Sequence, residues 1–329
     1  MNTFIRMSQW VLILFFVSLD RLPAYARGIV VTSHFESAAL GVQKSFRVYL
    51  PSSYENSPGR YPVIYLLHGQ GATERTWVDD VGLAEAADEI DLRAIVVMPD
   101  GDRGLYANGQ TAASYEDCMA DINPARNKAE TRGEFCVRAA RYEGYIVSDL
   151  ISYIDRHYHT VPRREGRAVS GDSSGGLGAM NLAFRHKDVF SSVASHSGVV
   201  VPLYKGPHPY EAGKAIFMSG DDLKRPDLRD YVNAFGSNIG GWREHSPDYL
   251  AGRLKNGEVA IYFDCGREDE FGFYDEALFF HDRLTALGIA HEFRSATGNH
   301  NEALWRQQIK ESLRFHIQHF KQKGVYPPN

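Results

Sequence analysis

The stretch Val169-Ser-Gly-Asp-Ser-Ser-Gly-Gly-Leu-Gly-Ala179 constrains this chain more than any other. It reads as the end of a strand, a tight turn and the start of a helix. Gly171, Ser173 and Gly175 fit the G-x-S-x-G spacing of a nucleophile elbow, in which a serine sits on a sharp strand-to-helix turn. Such a turn strains the backbone at the serine and leaves little room for side chains beside it. Glycine at both flanking positions supplies that freedom. Gly176 and Gly178 let the new helix lie close on a sheet, and its N-terminus aims N–H groups at negative charge forming near Ser173. The spacing alone arises by chance in about one such chain in five to ten, so the surrounding pattern decides.

That pattern alternates apolar strands with amphipathic helices. Ile29–Phe35 and Lys44–Leu50 read as strands, and Tyr61–Leu67 and Arg93–Met98 as strands buried on both faces. Gly82–Ile90 and Tyr142–His157 read as helices, the second with Ile146, Leu150, Tyr153, Ile154 and His157 on one face. Arg167–Ser170 feeds the elbow and Ser174–Arg185 is its helix. Ser191–His196, Val259–Phe263 and Ala290–Arg294 read as further strands. Pro247–Lys255, Phe273–Leu287 and Glu302–Lys321 read as helices, and 205–241 as mostly loop with a helix after Pro226. The alternation predicts an α/β fold with a mostly parallel central sheet and helices on both faces. In such sheets, sites form at the C-terminal ends of strands. His68–Gly71, Asp100–Gly101, Gly171–Ser174, Gly266–Asp269 and His300 all fall at such ends.

A serine nucleophile needs a base and a group to orient the base. In the α/β-hydrolase order both come later in the chain, acid before histidine. The turn after Phe263 offers Glu268, Asp269 and Glu270; Asp269 is preferred, with Glu268 as the alternative. His300, in the polar loop ahead of the last helix, is the candidate base. His281 and His291 read as structural. Oxyanion donors would be the backbone N–H groups of Ser174 and of Gln70 in the turn His68–Gly71. His68 itself reads as tying down that turn.

Met1–Ala26 reads as a secretory signal peptide: Arg6, an apolar run from Trp10 to Leu19 too short to span a membrane comfortably, and an Ala24-Tyr25-Ala26 cleavage site. The expectation is a secreted or periplasmic protein without a membrane anchor after cleavage, and one domain over 27–329. An insertion around 105–140 interrupts the strand–helix rhythm. It carries Cys118 and Cys136, which in an exported chain read as a disulfide closing a short loop, with Cys265 left as a buried free thiol. No Cys/His cluster has zinc spacing, so no metal or other cofactor is expected. A formal net charge of −5 gives no footprint for nucleic acid.

The chain resembles the putative esterase family within the α/β-hydrolases, which includes esterase D, S-formylglutathione hydrolase, feruloyl and acetyl-xylan esterases and the antigen 85 mycolyltransferases. The residues that carry the resemblance are Tyr65-Leu-Leu-His-Gly-Gln-Gly71 with Trp77, Met98-Pro-Asp-Gly101, Tyr142-Glu-Gly-Tyr-Ile-Val147, Ser170–Ala179, Arg243-Glu-His-Ser-Pro247, Phe263-Asp-Cys-Gly-Arg-Glu-Asp269 and Gly298-Asn-His300. The resemblance implies a metal-free serine hydrolase of carboxylic esters, with Ser173, His300 and Asp269 as triad and the Gln70 and Ser174 amides as oxyanion hole. The substrate would be a small-molecule or polysaccharide-linked ester, of acetyl or feruloyl type. Two readings stay beside it: an acyltransferase of the mycolyltransferase type using the same triad, and a non-catalytic binding protein on the same fold. Ser174 stands where the family often has methionine, and the 105–140 insertion has no counterpart in its pattern.

Overall fold

The structure, a computed structural model, describes residues 27–109 and 141–328. The segment 1–26 and both Cys118 and Cys136 lie outside the described residues. One eight-stranded sheet runs through the molecule. Its strands in chain order are β1 (Ile29–Ser37), β2 (Val42–Leu50), β3 (Val63–Leu67), β4 (Ile95–Pro99), β5 (Arg167–Asp172), β6 (Ser192–His196), β9 (Ala260–Gly266) and β10 (Glu292–Ala296). A short separate hairpin supplies β7 (Tyr204–Gly206) and β8 (Ile216–Phe217). The spatial order is β1-β2-β4-β3-β5-β6-β9-β10. β1–β2 and β2–β4 are antiparallel, and every later pair in the large sheet is parallel.

Both faces of the central strands are dry because alternate residues feed different layers. Val63, Tyr65 and Leu67 of β3 pack with Ile146, Leu150 and Ile154 and with the elbow helix. Ile64 and Leu66 point the other way, against Trp77, Leu83 and Ala87 and against Ile309 and Leu313 of the last helix, Glu302–Gln322. This is the α/β-hydrolase arrangement, with helices on both faces of a largely parallel sheet.

A polar cluster lies between that last helix and the sheet. His196 Nδ1 is 2.7 Å from Asp264 Oδ2, and its Nε2 is 2.9 Å from Ser312 Oγ. His316 reaches Ser170 Oγ at 2.7 Å and Ser192 Oγ at 2.9 Å. Burial drives the His316 pKa down to about 3, so the ring is neutral and acts as a hydrogen-bonding spacer.

Local structure departs from the sequence expectation in three places. The expected helix Tyr142–His157 carries a π-helical stretch, Tyr145–Leu150, between two α-helical pieces. Its buried face keeps Ile146, Leu150 and Ile154, but His157 is exposed and stacks on Tyr153 with ring centroids 4.0 Å apart. The last strand lies two residues later than expected. The mostly-loop region 205–241 has its expected helix after Pro226, at Arg229–Phe235, and adds the β7–β8 hairpin and a second short helix, Ile239–Arg243. At the insertion, Asn108 and Arg141 form an antiparallel bridge, and Tyr142 N donates to Ala107 O at 3.2 Å. Positions 108 and 141 are therefore neighbours in space.

Trp77 links the sheet to the elbow. It is buried, and its indole Nε1–H donates to Leu67 O at 3.0 Å, at the end of β3. Trp77→Phe should lose about 1–2 kcal/mol of stability through the orphaned carbonyl. Trp77→Ala should lose about 3–5 kcal/mol through the added cavity. Urea unfolding of the two variants checks the order and the gap.

Candidate active site

β5 ends at Asp172 and a helix begins at Ser173, with no loop between them. The crowding is direct: a Cβ on Gly171 would stand 2.4 Å from the Gly175 carbonyl carbon. Ser173 takes a φ of +51°, the left-handed region that a side chain opposes. Such a residue costs about 1–3 kcal/mol and persists only where its surroundings over-determine it. Here β5 is buried nearly throughout, and every residue from Ser174 to Phe184 of the helix is buried. Ser174 is the second residue of that helix, so its N–H has no partner within it four residues back.

Asp269 and His300 come together from loops after β9 and β10. Asp269 Oδ2 is 2.8 Å from His300 Nδ1. A carboxylate only accepts, so Nδ1 carries the proton and Nε2 is left as the lone-pair nitrogen. The other carboxyl oxygen accepts from the amides of Phe271 at 3.0 Å and Phe273 at 3.4 Å. Cys265, a buried free thiol, reaches Asp269 Oδ2 from behind at 3.6 Å. Phe271, Phe273 and Trp305 wall in the imidazole, each with its ring centroid within 5.3 Å.

The neighbouring acids serve the loop. Glu268 accepts from Gly298 N, and Glu270 Oε2 accepts from His300 N at 3.2 Å. Of the two acids weighed from the sequence, Asp269 is the one whose carboxyl meets the ring. His281 and His291 bond to each other at 2.8 Å, as befits structural residues.

Ser173, His300 and Gln70 line one cavity of about 1160 Å³. The Gln70 side chain donates to Asp230 Oδ2, which also accepts from Arg103 Nε at 2.8 Å; together they pin the turn after β3. His68 is buried beneath that turn, with Nδ1 2.8 Å from Gly69 O and Nε2 accepting from Gly101 N at 2.8 Å. Its place fits the structural role. Among the described residues, no group of three or more His, Cys, Asp or Glu is arranged to hold a metal ion.

Two acids on the cavity wall carry no signal in the elbow or triad patterns. Asp172 occupies the free position of G-x-S-x-G. Glu276 lies on the Phe273–Ala286 helix, in line with Phe280 and Leu284 on its buried face. An acid on an apolar stripe is the sequence signal that could have flagged it.

Asp172 is buried against the turn after β3: a Cβ on Gly69 would stand 2.5 Å from its Oδ2, and Oδ1 has no hydrogen-bond partner. Burial pushes its pKa up from 3.8 to about 6, against the pull of His68, His300 and His196. The unfolded chain therefore ionises first as pH rises, and the native state loses stability between about pH 4 and pH 6. Two pKa units correspond to about 3 kcal/mol. The stability of Asp172→Asn relative to the wild type should grow by about that amount between pH 4 and pH 8, and level off above about pH 6. Denaturant titrations across the range check it, since other titrating groups largely cancel in the difference.

The comparisons with known proteins bear on the family and the fold. The family model described as "Putative esterase" matches residues 37–316. An esterase of Mycobacterium tuberculosis is 27% identical over 282 residues, covering 81% of this chain and 54% of its own length. The chain thus spans about half the length of that relative. Among solved structures, a ferulic acid esterase superposes with a TM-score of 0.65 at 23% identity, covering 89% of this chain and 99% of its own. An S-formylglutathione hydrolase from Agrobacterium tumefaciens gives 0.66 at 18% identity, with 90% and 97% covered. These two show a shared fold. The family match covers most of the chain, and the chain belongs to the putative esterase family of α/β-hydrolases.

Proposed function

We propose that the protein is a serine esterase that hydrolyses a carboxylic ester through Ser173, His300 and Asp269. The observation that carries this reading is the Asp269–His300 hydrogen bond at the cavity that holds the strained Ser173. Ser173 Oγ attacks the ester carbonyl carbon while its proton passes to His300 Nε2. Asp269 keeps Nδ1 protonated and stabilises the imidazolium that forms. The N–H groups of Gln70 and Ser174 receive the oxyanion. The tetrahedral intermediate then collapses, His300 returns the proton to the departing alcohol, and an acyl-serine remains. Water attacks that ester with His300 again as base, releasing the acid and free Ser173.

The fold relatives named for ferulic acid and S-formylglutathione, together with the size of the cavity, favour a small-molecule or carbohydrate-linked ester of acetyl or feruloyl type. We also propose that the chain is exported, on the strength of the signal-like segment 1–26, and that Cys118 and Cys136 pair in the insertion.

The test is turnover of short p-nitrophenyl esters together with labelling by a fluorophosphonate probe. Hydrolysis with the label mapped to Ser173, both lost in Ser173→Ala, is the expected result. Hydrolysis that survives Ser173→Ala overturns the assignment. Label without hydrolysis would favour acyl transfer to a specific acceptor, and neither would favour a binding protein. Asp269→Asn should lower kcat by about 10⁴-fold through the wrong imidazole tautomer. Glu268→Gln should stay within a few fold of the wild type, since that carboxyl serves the Gly298 amide. Steady-state kinetics of the pair separates the two acids.

A further inference from the structure

Glu276 is the buried acid that the proposed mechanism does not use. It is 7% exposed, yet it lines the same cavity as Ser173 and His300. Among the described residues its carboxyl has one hydrogen bond, from Val201 N to Oε2 at 3.0 Å. Burial, reinforced by the charges of Asp269, Asp248 and Asp275, pushes its pKa well above the usual carboxylate range. The same cavity carries Val199, Met218, Tyr231, Trp242 and Phe273, a largely apolar and aromatic lining in which the phenols of Tyr231 and Tyr204 also lie within electrostatic reach of Glu276. A carboxyl group in that position has one arrangement that suits both oxygens. Oε2 accepts the Val201 amide and so takes the carbonyl role, which leaves Oε1 to carry the proton.

We propose that Glu276 is a specificity-determining residue that presents its Oε1–H to a neutral oxygen acceptor, a hydroxyl or ether, on an otherwise apolar or aromatic part of the ester. This rests on the esterase reading above. A site with one polar group in an apolar wall discriminates by what it leaves unpaired. A plain hydrocarbon group entering the cavity leaves the Glu276 hydroxyl without a partner, whereas an oxygen-bearing group satisfies it.

The test uses methyl 3-phenylpropanoate and its 2-, 3- and 4-methoxy derivatives, since a methoxy oxygen accepts and cannot donate. For the wild type, kcat/KM for the best methoxy isomer should exceed that of the parent ester by about tenfold, the size of one neutral hydrogen bond in a site built for it. Glu276→Gln places an N–H donor on the same frame and should keep the preference. Glu276→Leu should bring the ratio near one, and Glu276→Asp, one methylene shorter, should lower it; each ratio is read from whatever turnover remains. The Asp variant stands in if the Leu variant does not fold. A wild-type ratio near one for every isomer, a ratio that survives in the Leu or Asp variant, or a ratio lost in the Gln variant overturns the proposal. Failure of the esterase reading looks different: no ester of any kind is turned over and Ser173 takes no fluorophosphonate label.

Discussion

The backbone of Ser173 is held where its own side chain resists being, and much of the fold can be understood as what holds it. The serine could relax only by moving the end of β5 or the first turn of its helix. β5 is paired on both sides, to β3 and β6, and the helix is buried along nearly its whole length. Helices of that kind take their place from packing on every side. The local penalty, about 1–3 kcal/mol, is small against the burial that opposes its release. The reward is geometric, because the serine lines the cavity from a junction packed on all sides.

Around that junction three carboxyl groups meet three different environments. Asp269 receives an imidazole N–H, two amides and a thiol. Asp172 has an oxygen without any partner, and Glu276 has a single amide. Hydrogen-bond donors favour the charged form and burial disfavours it, so a carboxyl can anchor a cation, as Asp269 does, or stand as a neutral wall, as Glu276 does, while Asp172 ionises only near pH 6. A neutral wall also limits how much negative charge faces the carbonyl oxygen as it becomes an oxyanion.

The parts of the site that were legible in the sequence are those whose chemistry imposes a local pattern or a chain order. The elbow needs Gly171 and Gly175 beside Ser173, and an acid and a histidine must follow in loops after later strands. The buried strands showed as unbroken apolar runs, such as Val63–Leu67. What did not show depends on tertiary context. The π-helical stretch at Tyr145–Leu150 has the same apolar spacing as an α-helix, and packing selects the wider turn. β7 and β8 are too short for alternation to register, and β8 is exposed. Asp172 and Glu276 look like ordinary acids until the chain that buries them is in place.

The cluster under the last helix contains a serine, a histidine and an aspartate joined in the same sequence as those of a hydrolase: Ser312, His196 and Asp264. It is sealed, with Ser312 and Asp264 at 1% exposure, and Ser312 Oγ also donates to Ile309 O at 3.0 Å. Its serine sits inside a regular helix, with its proton already engaged and no room for a carbonyl to approach. The molecule thus carries its own internal control. Residue types and the Asp–His hydrogen bond are the same in both trios, and what sets the outer one apart is its place on an open cavity and the positive φ of its serine. Residue type alone would mark both trios, and of the two only the outer one opens to a cavity that a substrate could enter.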